Sequence, residues 1–379
     1  MGSLLPSLPR ESYLDEGVHV EELRRIFGRS WLTVARADQL PEPGDYLVVE
    51  PAGQSVLLIR GRDGELRAFR NLCRHRGAVL CRPDASVVAA ERTDESSGRF
   101  GSAFSCPYHG WTYGLDGRLV GAPNMPEMPD LTKAEFGLHP VRLDQWLGYV
   151  WLNLDPDAGP LAGQVEPELL DRFGDVATLQ RYGIETLRPG RTIRYEVAAN
   201  WKAVVENFME CYHCGTLHPE LTAALPQFAT GWGTVSGGVG AGAALADGLQ
   251  AFSASGLATR PRLPGLLDGD DRLFFGVILR PNTFLILVPD HVALFRLEPH
   301  GPGHTTVLVD WLFDADAVAA ADFDPQDAVR ILDITNRQDS DACERCQQGM
   351  TSPAYQAVLV PSEHLIGGFH EYVRGMLAS

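Results

Sequence analysis

The sequence predicts an α+β chain in two parts: a small all-β domain, then a larger one built from an antiparallel sheet and a long helix. Three observations carry this. Short apolar or alternating runs at Tyr46–Val49, Val56–Ile59 and Leu66–Phe69 are punctuated by turn residues such as Asp63-Gly64. Further runs at Phe274–Leu279, Thr283–Val288, Val292–Leu297 and Thr305–Phe313 follow at hairpin spacing, with Pro281-Asn282 and Pro289-Asp290 between them. One helical pattern then opens at Asp324-Pro325, a cap followed by proline in the first turn, and runs to about Gln348.

With 379 residues the chain is too long for one ordinary core. We divide it into an N-terminal segment over 1–40 that packs on the larger domain, a β domain over 41–155 and the larger domain over 156–379. Within the first, Val20, Leu23, Ile26 and Phe27 have helical spacing. Leu147 to Leu154 reads as the closing strand of the β domain, and Pro156-Asp-Ala-Gly-Pro as the linker. A formal net charge of −17 argues against nucleic acid and anionic membrane surfaces as partners. No apolar run is long enough to span a bilayer, and the first residues lack a signal peptide's basic and apolar regions, so a cytoplasmic location is expected. Seven cysteines, an odd number, make a disulfide framework unexpected.

Two pairs of residues in the β domain carry the first chemistry. Cys73-Arg-His75-Arg-Gly77 and Cys106-Pro-Tyr-His109-Gly110 each offer one thiolate and one imidazole on a tight loop. Two Cys and two His suit either a structural zinc or a Rieske [2Fe–2S] cluster, in which two histidines replace two cysteines on one iron. Zinc loops favour a Cys pair followed by a His pair. Here each loop supplies one S and one N ligand, which suits two irons, with Cys73 and Cys106 on one and His75 and His109 on the other.

The second centre lies in Asn200 to Pro219, which begins as a helix. Glu210 and His213 are three apart and are expected on one helical face. His213 and His218, five apart, can meet one ion only if the helix loosens after His213, and Gly215 and Pro219 permit that. On the long helix, Ala328, Ile331, Leu332, Thr335, Ala342 and Cys346 define a buried stripe, and Asp339 lies on it. A buried carboxylate is costly unless paired or metal-bound. Asp339 would complete, with His213 and His218, the 2-His-1-carboxylate triad of Fe(II) oxygenases; a salt bridge to Arg337 or Arg345 is the alternative. Cys211 and Cys214 are left out as ligands, because thiolates would fill positions that O2 and substrate need.

These motifs resemble the large (α) subunit of the Rieske non-haem iron oxygenases, the aromatic-ring-hydroxylating oxygenase family, almost end to end. Arg-Asn-Leu-Cys-Arg-His-Arg-Gly and Cys-Pro-Tyr-His-Gly-Trp look like its cluster loops, Glu-Asn-Phe-Met-Glu-Cys-Tyr-His-Cys-x3-His-Pro like its mononuclear iron motif, and Asn-Arg-Gln-Asp like its distal-ligand helix. The resemblance implies a helix-grip catalytic domain, a [2Fe–2S] cluster, mononuclear Fe(II), O2 as co-substrate and a homotrimer. Electrons would come from NAD(P)H through a separate reductase, with or without a ferredoxin. Glu210 resembles the carboxylate that bridges an iron-ligating histidine to a cluster histidine, here His109, of a neighbouring subunit, and Asn207 the residue near the open iron position. Glu-Cys-Tyr-His-Cys is closest to the branch acting on glycine betaine, stachydrine and carnitine, which makes N-demethylation or hydroxylation of a quaternary ammonium one expectation and an aromatic or biosynthetic substrate the other. Trp232, Phe228 and Phe275 are candidates for a cation cage. One departure is the thirty residues between His75 and Cys106, about twice the family's usual spacing; the excess near 87–101 reads as a polar surface excursion.

The Gly-, Ala- and Ser-rich stretch from Phe228 to Asp271 lacks the glycine spacing of a dinucleotide site and reads either as mobile cover over a pocket or as an ordinary surface loop. A reading from another class, an electron carrier or a zinc-stabilised binding module, would leave residues 156–379 unexplained.

Overall fold

The computed structural model describes residues 4–82, 96–128, 130–231 and 239–378. It forms two compact units, one of Phe27–Leu161 and one of Met1–Ile26 with Ala162–Ser379.

The smaller unit is all β. Its seven-stranded antiparallel sheet runs in the order Leu32–Arg36, Tyr149–Asn153, Pro140–Trp146, Leu66–Arg70, Val56–Arg60, Asp45–Val49, Ser97–Arg99. Alternation sends Leu57, Ile59 and Phe69 into a core shared with Cys73, Cys106, Trp111 and Tyr113. Val56, Leu58, Leu66 and Ala68 pack on the other side with Val150 and Leu152. Both faces are covered, which is why Val56–Ile59 reads as an unbroken apolar run. A separate sheet of Ala103–Ser105, Thr112–Gly114 and Leu119–Gly121 carries the second Cys/His loop. Tyr149–Asn153 does not close the sheet, because Leu32–Arg36 pairs outside it. The excess segment also ends differently from the expected excursion: Ser97–Arg99 pairs with Asp45–Leu47, and Arg99 meets Asp45 at 2.6 Å. Residues 83–95 of that insertion lie outside the described residues.

The larger unit holds a six-stranded antiparallel sheet in the order Arg188–Val197, His304–Phe313, His291–Gly301, Thr283–Val288, Leu273–Leu279, Ala243–Ala244. The long helix Gln326–Met350 packs on Arg188–Val197 and on the helix Trp201–Met209, which also meets the strand His291–Gly301. This is the sheet gripping a helix that the family resemblance implied. The buried stripe differs at its end: Cys343 and Gln347 are buried, whereas Cys346 is exposed. No helix among the described residues is long and apolar enough to cross a membrane.

Candidate metal centres

The two Cys/His loops are copies of one turn. Gly77 N–H donates to the Cys73 carbonyl at 2.9 Å, and Gly110 N–H to that of Cys106 at 3.0 Å. Both glycines have a left-handed φ, +70° and +69°, which a side chain would strain. Each turn buries its thiol, at 2% and 3% exposure, and leaves its histidine nearer the surface. The rings of His75 and His109 approach to 4.6 Å between centroids, and Trp111 stacks on His75 at 5.0 Å. Buried thiols paired on one side and outward imidazoles on the other suit a cluster whose two irons have unlike ligands. Tyr113, which the sequence did not single out, is fully buried with its hydroxyl 3.3 Å from the Cys73 sulfur. Burial, with Cys73 beside it, raises that hydroxyl's pKa and keeps it protonated as a donor.

The second centre is built around the helix Trp201–Met209. Asn200 caps it by accepting from Lys202 N–H at 3.0 Å. Lys202 and Glu22 form an ion pair at 2.6 Å with both side chains fully buried, and the Trp201 indole donates to the same carboxylate at 2.8 Å. The N-terminal helix Glu16–Arg25 is thereby tied to the start of this one. The helix then stops at Met209. Glu210 is extended, with φ −132° and ψ 167°, so it shares no helical face with His213; the loosening comes before Glu210, not after His213. Two short helices follow, Cys214–Leu217 and Pro219–Ala224. Gly215 is needed for a different reason, since a Cβ there would lie 2.7 Å from the Ala229 carbonyl oxygen.

This broken path lets His213 and His218 face Asp339 of the long helix. Asp339 Oδ1 is 3.3 Å from His213 Nε2 and 2.9 Å from His218 Nε2. His218 Nε2 and Asp339 Oδ1 are buried yet complete no hydrogen bond. The other ring nitrogens are satisfied, His213 Nδ1 by Glu210 and His218 Nδ1 by Gln338 Oε1 at 2.7 Å. Nε2 atoms turned to a common carboxylate, with Nδ1 held by a side-chain acceptor, are how ligating histidines are set up. The proposed competitors for Asp339 are engaged elsewhere: Arg337 pairs with Asp333 at 3.1 Å and Arg345 with Asp341 at 2.7 Å. Burial works against charge on His213, but Asp339 and Glu210 outweigh it and raise its pKa to about 10. Asp339 is held below the usual carboxylate range despite burial, through His213 and His218. A point that favours positive charge this strongly suits a divalent cation equally well.

Cys211 and Cys214 form a disulfide, contrary to the expectation of free thiols. The bond spans only the turn that carries His213. The His213, Cys214 and His218 donor atoms lie within 4.8 Å of one another.

All three converging residues line a cavity, with Asn207 and Glu210. Its walls are Phe208, Phe228, Phe274, Phe295, Leu221, Ile286 and Leu332, with Thr335 and Asn336 as further polar groups. Of the cage candidates, Phe228 lines it; Phe275 packs instead on Phe173, and Trp232 lies outside the described residues. The described segment after Val239 is held to its surroundings at several points. Gly240 N–H donates to the Arg172 carbonyl at 2.8 Å, Ala254 N–H to that of Asp327 at 2.9 Å, and fully buried Phe252 packs on Phe274.

Residues 184–379 match the family model for the ring-hydroxylating α subunit (catalytic domain), and residues 30–134 match that for the Rieske [2Fe–2S] domain. The chain belongs to the ring-hydroxylating Rieske oxygenases, enzymes that carry a [2Fe–2S] cluster and a mononuclear iron. It is 31% identical to the glycine betaine monooxygenase oxygenase subunit of Chromohalobacter salexigens, over 92% of this chain and 80% of that one. A quaternary ammonium Rieske monooxygenase solved with L-carnitine superimposes with a TM-score of 0.72 at 25% identity, covering 98% of this chain and 96% of that one. Naphthalene 1,2-dioxygenase from Rhodococcus sp. shares the fold with a TM-score of 0.72 at 22% identity, covering 98% and 95%.

Proposed function

We propose that the protein is the oxygenase component of a multicomponent system that hydroxylates or N-demethylates a small organic substrate with O2 and electrons from NAD(P)H. A separate reductase, with or without a ferredoxin, delivers the electrons. The observation that carries this reading is the convergence of His213, His218 and Asp339 on the cavity. These three would hold the iron, and Cys73, His75, Cys106 and His109 the cluster. When bound, the cluster supplies single electrons and Fe(II) activates O2 for insertion at a C–H bond.

The remaining work falls to side chains. Glu210 and Gln338 fix the imidazoles through Nδ1. The phenylalanine walls exclude water and hold the substrate beside Asn207. In a homotrimer, Glu210 would also bond to His109 of the partner subunit, giving electrons a short hydrogen-bonded route between chains. The named relatives bring quaternary ammonium substrates into consideration, and aromatic faces attract such cations. The same faces would also stack on an aromatic ring, the alternative substrate.

Product analysis with a surrogate reductase, NADH and a panel of quaternary ammonium and aromatic compounds tests the reading. Oxygen from labelled O2 should appear in a hydroxylated or dealkylated product. No substrate-dependent O2 uptake across the panel, from protein with both iron centres filled, would contradict it.

A further inference from the structure

We infer that the cavity selects a substrate carrying no anionic group. This rests on the proposed oxygenase reading and deepens it. Four phenylalanines, Phe208, Phe228, Phe274 and Phe295, dominate the walls. An adjoining cavity shares Asn207, Phe208, Phe295, Asn336 and Asp339 and adds Tyr195 and Ser340. Among the described residues lining either cavity there is no lysine or arginine. The stretch 232–238, Trp-Gly-Thr-Val-Ser-Gly-Gly, has no basic residue to contribute. Four basic groups elsewhere in this unit are engaged away from the cavity. Lys202 pairs with Glu22, Arg337 with Asp333, and Arg280 with Glu168 at 2.5 Å. Arg172 donates to the Gly276 and Ala241 carbonyls at 2.8 and 2.6 Å.

A carboxylate entering this space would lose its hydration and meet no lysine or arginine among the described lining residues. The ring faces present negative charge density, which repels an anion and attracts an ammonium. Asp339 and Glu210 add like charge in the same wall. A bound Fe(II) would offset the charge of these carboxylates, leaving described walls that hold no lysine or arginine. A neutral acceptor fares better. Asn336 Nδ2 is buried without a hydrogen-bond partner of full geometry, and an uncharged substrate oxygen could accept from it. The site thus departs from the glycine betaine and carnitine relatives, whose named compounds both carry a carboxylate.

Matched pairs isolate that group: tetramethylammonium against glycine betaine, and naphthalene against 1-naphthoate, titrated calorimetrically into the iron-loaded protein without O2. The carboxylate-free member should bind at least tenfold tighter in any pair that binds. Equal or tighter binding of glycine betaine or 1-naphthoate would overturn the inference. An Asn336→Lys variant makes the test independent of finding the true substrate: it should bind the carboxylated members at least tenfold more tightly than the parent does, and no gain in a folded, iron-loaded variant would overturn the inference too. Iron content separates the two levels. A full mononuclear site that prefers the carboxylate sinks only the inference, whereas a protein unable to hold that iron sinks the proposed function and the inference with it.

Discussion

The two candidate centres are assembled in opposite ways. Each cluster loop is a five-residue turn that places its own thiol and imidazole, and the second turn repeats the first. The iron site is made by a helix that breaks at Met209, an irregular path through His218, and a carboxylate from a distant helix. Local geometry is enough for the first. The second depends on packing that holds two helices in register, and so on groups far from the metal, such as the Glu22–Lys202 pair. Damage to the scaffold should therefore reach the iron site before the cluster.

Variants sharpen that contrast. The largest effect is expected from Asp339→Ala, which removes the carboxylate that meets both His213 and His218. Turnover should fall by roughly a thousandfold or more with loss of the chelator-labile iron, while the cluster's visible absorption stays unchanged. A variant that kept both activity and that iron would show that another group is the ligand.

Lys202→Met leaves the buried Glu22 carboxylate unpaired, which should cost about 3–5 kcal/mol. Calorimetric unfolding should show the loss in the transition of the Ala162–Ser379 unit and leave that of Phe27–Leu161 in place. An equal shift in both would erase the distinction between local and scaffold-dependent centres.

Gln338→Ala frees Nδ1 of His218. Mononuclear metal affinity should drop by about 10–100-fold, read by competition with a chelator, whereas Gln338→Glu should retain most of it. A simple packing role would treat the two replacements alike.

The smallest effect is expected from Tyr113→Phe, which deletes the hydroxyl beside Cys73. Losing one hydrogen bond of about 0.5–1.5 kcal/mol should lower the cluster's reduction potential by roughly 20–60 mV. An unchanged potential would mean that the hydroxyl does not donate to the sulfur.

The same contrast explains what could be read in the sequence. Cys-x-His-x-Gly and Cys-x2-His-Gly are self-contained, so the two loops and their four donors were legible as a unit. Asp339 was legible because a carboxylate falls on an apolar helical stripe. Helical spacing misplaced Glu210, because nothing local announces that the helix ends at Met209. Leu32–Arg36 was absorbed into the N-terminal segment, since a strand of five residues gains its identity only from its neighbour Tyr149–Asn153. Gln338 and Tyr113 carry no pattern at all; only their three-dimensional neighbours give them a role. Cys211 and Cys214 were set aside because composition argues against a framework of disulfides, which says little about one bond across a single turn.

Counting iron before and after a mild chelator addresses the whole account most directly. A red-brown protein should give up one iron per chain while the absorption of its [2Fe–2S] cluster persists. A colourless protein holding zinc, or one whose irons all leave together with its colour, would contradict it.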